Sequence, residues 1–169
     1  MGSLGPVSLP IRRATPILAA AALVLASCGL PRDPNSTAGH IENGVLRVGV
    51  SENPPWVRFT AGEPQGIEPD LVRELAAEQH AKVQWVRNGE TPLLNALEKY
   101  QLDLVVGGIT AKSPWSGKLA LTRPYAEAGK DKHVWLAPPG ENRWLLRLDR
   151  FLVAHKAEAA ARLKAEPPR

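Results

Sequence analysis

The chain has a single cysteine, Cys28, among its 169 residues. No disulfide can close within it, and no spacing of Cys, His, Asp and Glu follows a metal-ligand pattern. Runs of Lys and Arg are missing, as is a basic helix face, and a formal net charge of +4 is no nucleic-acid footprint. No Ser/His/Asp arrangement is visible, no cofactor motif is present, and no segment repeats. The apolar run at 14–26 is too short to cross a hydrocarbon core of ~30 Å at ~1.5 Å per residue. These absences argue against a disulfide scaffold, a patterned metal site, a nucleic-acid binder and a membrane span at that run.

What is present begins with an export signal. Arg12 and Arg13 precede the apolar run, which closes on Leu25-Ala26-Ser27-Cys28. A basic start, a short apolar core and small residues at the end make a secretory signal over residues 1–27. A buried core helix with an incidental cysteine is the competing reading. The four closing residues resemble the lipobox of bacterial lipoproteins. That resemblance implies cleavage before Cys28, lipidation of its thiol, and a periplasmic or cell-surface protein anchored to a bacterial membrane. Each buried methylene of an acyl chain contributes about 0.8 kcal/mol, so several chains hold firmly. Gly29 follows the cysteine, which leaves inner and outer membrane both open. Residues 28–43 carry Pro31, Pro34, Asn35, Ser36, Thr37 and Gly39 without apolar period, and read as a flexible tether.

The folded part is expected over 44–157. Residues 45–50 are a β-branched run and read as a strand. Residues 61–64, Ala-Gly-Glu-Pro, sit between two short extended stretches as a hairpin turn. Ile67, Leu71 and Leu75, widened by Val72 and Ala76, predict a helix over about 68–79. Residues 82–86 alternate as a second strand. Thr91 as N-cap and Pro92 as first helical residue open a second helix with Leu93, Leu94, Leu97 and Tyr100 on its apolar side. Residues 102–109 form a nearly continuous apolar run, the pattern of a strand covered on both faces. A further strand is expected at 133–137. A closing helix over about 141–156 places Trp144, Leu145, Leu148, Phe151 and Leu152 on one face as core. The tail over 158–169 is expected to fray.

Strand, helix, strand, helix, strand is the order of a parallel sheet with right-handed crossovers. The fold class is therefore α/β, a mostly parallel sheet with flanking helices. Such sheets bind ligands beyond the carboxyl ends of their strands, here residues 51–56 and 107–110.

Several segments, in order, resemble the periplasmic solute-binding proteins of family 3, which capture polar amino acids for ABC importers. They are Leu46-Arg47-Val48-Gly49-Val50, Asn53-Pro54-Pro55-Trp56, Gly66-Ile67-Glu68-Pro69-Asp70-Leu71, residues 102–110 with Gly107-Gly108-Ile109-Thr110, and Thr122-Arg123-Pro124-Tyr125. The resemblance spans about 45–157 and implies one lobe of such a protein. It implies a ligand site at Asn53, Trp56, Gly107, Gly108, Thr110 and Trp115 and a small, polar, amino-acid-like solute. The partners it implies are the membrane through the lipid anchor and an ABC permease or a second copy of the chain. No cofactor is implied.

Two departures bear on function. Only residues 126–132 lie where the chain would leave for a second lobe, so that lobe is missing and hinge closure with it. The family's arginine after the ligand loop falls on Trp115, with Lys112 at a nearby threonine position, and tryptophan cannot grip a carboxylate with two parallel hydrogen bonds. A lipid-anchored binding protein and a single-lobe envelope interaction module both remain open. An enzyme ranks last: Glu52, Asp70, His80, Asp103, Lys112 and His133 are its candidate groups, and they form no recognisable arrangement.

Overall fold

Leu46, Val48 and Val50 alternate along β1 (Val45–Val50), and all three side chains are fully buried on one face. The computed structural model describes Gly2 and residues 33–166. The expected secretory segment at 1–27, apart from Gly2, the expected lipidation site Cys28, residues 29–32 and residues 167–169 lie outside the described residues. From β1 the chain makes a hairpin of β2 (Arg58–Thr60) and β3 (Glu63–Gln65), turning through Ala61 and Gly62 at positive φ. It then enters α2 (Ile67–Glu78), β4 (Lys82–Arg87), α3 (Glu90–Glu98) and β5 (Leu104–Val106). A 3-10 turn at Pro114–Gly117 leads to β6 (Ala120–Leu121), a hairpin of β7 (Ala126–Ala128) and β8 (Asp131–His133), and β9 (Leu136–Ala137). The helices α4 (Asn142–Ala154) and α5 (Lys156–Ala165) close the chain.

The main sheet runs β4-β1-β5-β9-β6. β4 and β5 flank β1 in parallel, β9 runs antiparallel to β5, and β6 runs antiparallel to β9 and so along the direction of β1. Period-two alternation sends β1 and β5 side chains to two separate cores. Leu46, Val48, Val50, Leu104 and Val106 pack with Leu71 and Leu75 of α2 and Trp144, Leu148 and Phe151 of α4. Val105 and Leu136 pack on the opposite face with Leu93, Leu94 and Leu97 of α3. Gly49 faces that second side, where an added Cβ would stand 2.8 Å from Leu102 and 3.0 Å from Leu93. The α/β class, the mostly parallel sheet and the single lobe are as expected.

Four boundaries differ from expectation, each for a physical reason. Residues 37–41 are helical: α1 (Thr37–Ile41) buries Thr37, Ala38 and Ile41, so this part of the expected tether belongs to the fold. Its free amides are met from far along the chain, with Asn35 N–H and Thr37 N–H donating to the Glu141 carboxylate at 2.9 and 3.0 Å. The expected frayed tail is the helix α5, anchored by buried Ala159 and by Arg162, which pairs with Asp70, Glu74 and Glu158. The third strand ends at Val106 because Gly108 turns into the left-handed region at φ 66. The strand expected at 133–137 is two strands. His133 closes β8, and Leu136 joins the main sheet after Trp135 crosses between them, its amide held by Thr122 Oγ1 at 2.9 Å.

Candidate functional site

β1, β4 and β5 end side by side, with Val50 opposite both Arg87 and Val106. With the order β4-β1-β5 the crossovers leave β1 in opposite directions, so these carboxyl ends form the switch point of the sheet. The loop after β1 is folded back on itself by paired hydrogen bonds between Asn53 and Val57, 2.8 and 3.0 Å. The Asn53 side-chain amide donates to the Gly107 carbonyl at 2.9 Å. Gly107 lies so close to Ser51 that a Cβ would collide with its hydroxyl, and a Cβ on Gly108 would collide with the Trp56 indole. Two glycines are thus required by close approach of the two loops.

Behind the loops stands a polar group that sequence reasoning missed as a functional residue. Glu68, near the start of α2, is fully buried. Its carboxylate accepts from Gly108 N–H at 2.8 Å and from the Tyr125 hydroxyl at 2.7 Å. Burial pushes its pKa up to about 7, against the lowering pull of those hydrogen bonds. The same burial and the neighbouring Glu68 raise the Tyr125 hydroxyl well above its usual range. At the carbonyl of the same residue, His133 Nδ1–H donates to Gly108 O at 3.0 Å. Burial lowers the His133 pKa, opposed by the Gly108 hydrogen bond and by Asp131. Both backbone polar groups of Gly108, its N–H and its carbonyl, are therefore bound within the protein.

Trp56 is 2% exposed. Its indole stacks on the His133 ring, centroids 3.9 Å apart, and meets Tyr125 edge-on. Thr110 bridges to His133 and is half-buried. Trp115 stands in the 3-10 turn, half-buried against the α3 core, on the opposite side of the sheet from the core that holds Trp56. The structure thus brings Asn53, Trp56, Gly107 and Gly108 together, with Thr110 joined through His133, and sets Trp115 apart. Of the six, Asn53 and Gly107 line the open cleft at the strand ends, a space of about 720 Å3 whose other walls are Ser51, Glu52, Arg87, Asn88, Gly89 and Glu90.

Arg87, Asn88, Gly89 and Glu90 were not expected to line the cleft. Arg87 closes β4 and the other three follow it, and their signal was the carboxyl-end rule applied to a third parallel strand. Arg87 is held by two contacts: its guanidinium carbon lies 3.9 Å from the Phe59 ring centroid, and it bonds Glu52 at 3.0 Å. Of the remaining candidates His80 is exposed just past the end of α2, and three others are engaged in ion pairs. Asp103 is buried and receives Arg47 and His40, Lys112 pairs with Asp131 at 2.9 Å, and Asp70 pairs with Arg73 at 3.0 Å. The arrangement can bind a small polar solute at an open, mixed-charge surface. The candidate groups offer no nucleophile beside a base.

A single α/β lobe with its concave polar site at the switch point defines the binding-protein class of this fold. The chain belongs to the bacterial extracellular solute-binding proteins, family 3, whose model matches residues 46–164. Among solved structures, the arginine-bound form of domain 1 from TmArgBP is 21% identical, with 68% of this chain and 96% of that chain covered and a TM-score of 0.63. An ancestral amino acid-binding protein, a precursor of cyclohexadienyl dehydratase, is 14% identical over 77% of this chain and 98% of that one, TM-score 0.67. A Salmonella typhimurium periplasmic binding protein of high arginine specificity is 10% identical over 72% and 98%, TM-score 0.63. At these identities the likeness is one of fold. Membrane-bound lytic murein transglycosylase F of Vibrio cholerae serotype O1 is 32% identical over 104 residues, 60% of this chain and 19% of that protein. The chain matches about a fifth of the length of that relative.

Proposed function

We propose that this chain is a lipid-anchored, extracytoplasmic binding protein for a small polar, amino-acid-like solute, resembling the capture component of an ABC importer. The observation that carries the reading is the cleft at the ends of β1, β4 and β5, where charged and amide-bearing side chains converge at the switch point. Asn53 and Gly107 are its predicted contacts from the original six, with Trp56, Gly108 and Thr110 as the support behind them. Arginine bound to domain 1 of TmArgBP supports binding by one lobe without hinge closure. Export and anchoring rest on residues 1–27 and Cys28, and the partners are the membrane and an ABC permease. Binding rather than catalysis is favoured because Asp103, Lys112 and Asp70 are tied up in ion pairs.

Isothermal titration of the full chain in detergent with the standard L-amino acids tests the reading. Heat of binding for at least one is expected, and none across the series would overturn it. Cys28→Ser should move the protein from the membrane to the soluble fraction of cells. Persistence in the membrane would remove the lipid anchor from the proposal.

A second reading has its own observation. Trp115 packs against the α3 core where the family places its carboxylate arginine, and a segment of similar sequence occurs within a much longer envelope enzyme. A single-lobe envelope interaction module is the outcome if no solute binds.

A further inference from the structure

We propose that Arg87 and Glu52 are the reading pair of the cleft, Arg87 taking the carboxylate and Glu52 the ammonium of an amino-acid solute. The inference rests on the solute-binding reading above and adds to it the two residues and the charged groups they select.

Among the residues lining the cleft, Arg87 is the one cation, while Glu52 and Glu90 are carboxylates. A solute anion in this cleft therefore has one charged partner to meet. That partner is already oriented. Arg87 closes β4 opposite Val50, its guanidinium lies flat enough against Phe59 to bring the carbon within 3.9 Å of the ring centroid, and Phe59 is packed against the main core. Stacking leaves the edge of the guanidinium open, and that edge is what binds carboxylates in pairs of hydrogen bonds. Of its five donors, one bonds within the described residues, from Nη2 to Glu52 Oε2 at 3.0 Å.

The Arg87–Glu52 pair is half-exposed, with the side chains 56% and 50% accessible. An ion pair in such a setting is weakly held and is readily exchanged. A zwitterion can replace it with two pairs of the same kind, carboxylate on Arg87 and ammonium on Glu52, so both protein charges stay partnered when the solute enters. A solute with a carboxylate alone would strip Arg87 from Glu52 and leave the acid without a partner. An amine alone would leave Arg87 without a partner. The neutral wall of Ser51, Asn53 and Gly107 lies alongside. The cation thus enters from the end of β4, a different element from the loop that carries Trp115 and Lys112.

The test is titration of the full chain in detergent with the standard L-amino acids, then with the methyl ester and the N-acetyl derivative of whichever binds best. Wild type should prefer the free amino acid to either derivative by about tenfold or more, the scale of one lost charge-assisted pair. Arg87→Gln should lose about tenfold for the free amino acid and no longer distinguish it from the ester. Glu52→Gln should do the same against the N-acetyl derivative. Both positions are exposed at a strand end, and circular dichroism checks that the variants are folded. Should Arg87→Gln bind the amino acid within about twofold of wild type, or wild type bind ester and acid alike, the reading pair is overturned and solute binding stands. Absence of binding to every amino acid by wild type overturns both.

Discussion

Glu68 carries a carboxyl group into a place that water does not reach, and its hydrogen bonds to Gly108 and Tyr125 offset that burial only in part. Its pKa rises from 4.5 to about 7. A carboxyl that holds its proton more tightly folded than unfolded contributes stability below pH 4.5, and that contribution is lost as pH climbs through about 7. His133 runs the other way. Its pKa is depressed from 6.5, so its contribution is present above that value and is lost as pH falls through the lower folded value. Both groups hold Gly108, Glu68 at its N–H and His133 at its carbonyl, and no pH preserves both contributions in full, since the first is complete only below pH 4.5 and the second only above 6.5. Glu68→Gln mimics the protonated form. Wild type should lose about 3 kcal/mol relative to Glu68→Gln between pH 4.5 and pH 8, read from urea unfolding at both values. Parallel behaviour of the two proteins would show that Glu68 stays ionised throughout. Trp56 belongs to the same scale. It was expected over the ligand, and the missing Cβ of Gly108 lets the indole sink onto the peptide, where His133 stacks on its other surroundings. Side-chain pattern shows an aromatic after two prolines. It does not show which of two neighbours will leave room for it.

At the scale of elements, α1 is the clearest case of structure decided from outside. A five-residue helix cannot stand alone in water. Its N-cap, Ser36, makes no side-chain capping bond, and Glu141 supplies the acceptor in its place. Burial acts to raise the Glu141 pKa, but hydrogen bonds from Asp33 and from the Asn35 and Thr37 amides prevail and lower it. Its stability contribution is thus present above the ordinary carboxyl value and is lost as pH falls below it. Glu141→Ala should cost about 2–3 kcal/mol, since it leaves two amides without a charged acceptor. Amide exchange over residues 35–41 should accelerate more than exchange in β1. Equal protection there in both proteins would mean that burial of Ala38 and Ile41 alone holds the helix. The elements with strong periodicity, β1, α2, β4 and α4, were legible because six to thirteen residues of pattern point one way. α1 is too short for a pattern, and its cap lies more than a hundred residues away in sequence.

At the scale of the molecule, a short hairpin, β7–β8, occupies the point where the chain would cross to a second lobe, so residues 33–166 contain no hinge of the kind that closes over a solute. Bound solute should therefore leave the small-angle scattering radius of gyration unchanged, and it should exchange quickly from an open cleft. A measurable contraction on adding amino acid would mean that a second copy or another protein acts as the lid. Among the described residues, Val45 and Val153 are the exposed large apolar side chains. Any partner at this surface meets mostly polar groups.

Sequence by itself determined the α/β class and the parallel core, and it directed the search for a site to the strand ends. Those depend on hydrophobic period, on glycine and proline punctuation, and on the handedness of crossovers, all of which are local or topological rules. It also determined the departure at Trp115, since residue type there is independent of fold. Only the tertiary structure decided which residues face the cleft. Placing β4 beside β1 brought Arg87 next to Glu52, and packing Trp56 onto Gly108 took the aromatic out of the site. Both outcomes depend on distances between segments far apart in the chain, where side-chain volume and burial, rather than local pattern, choose the neighbour.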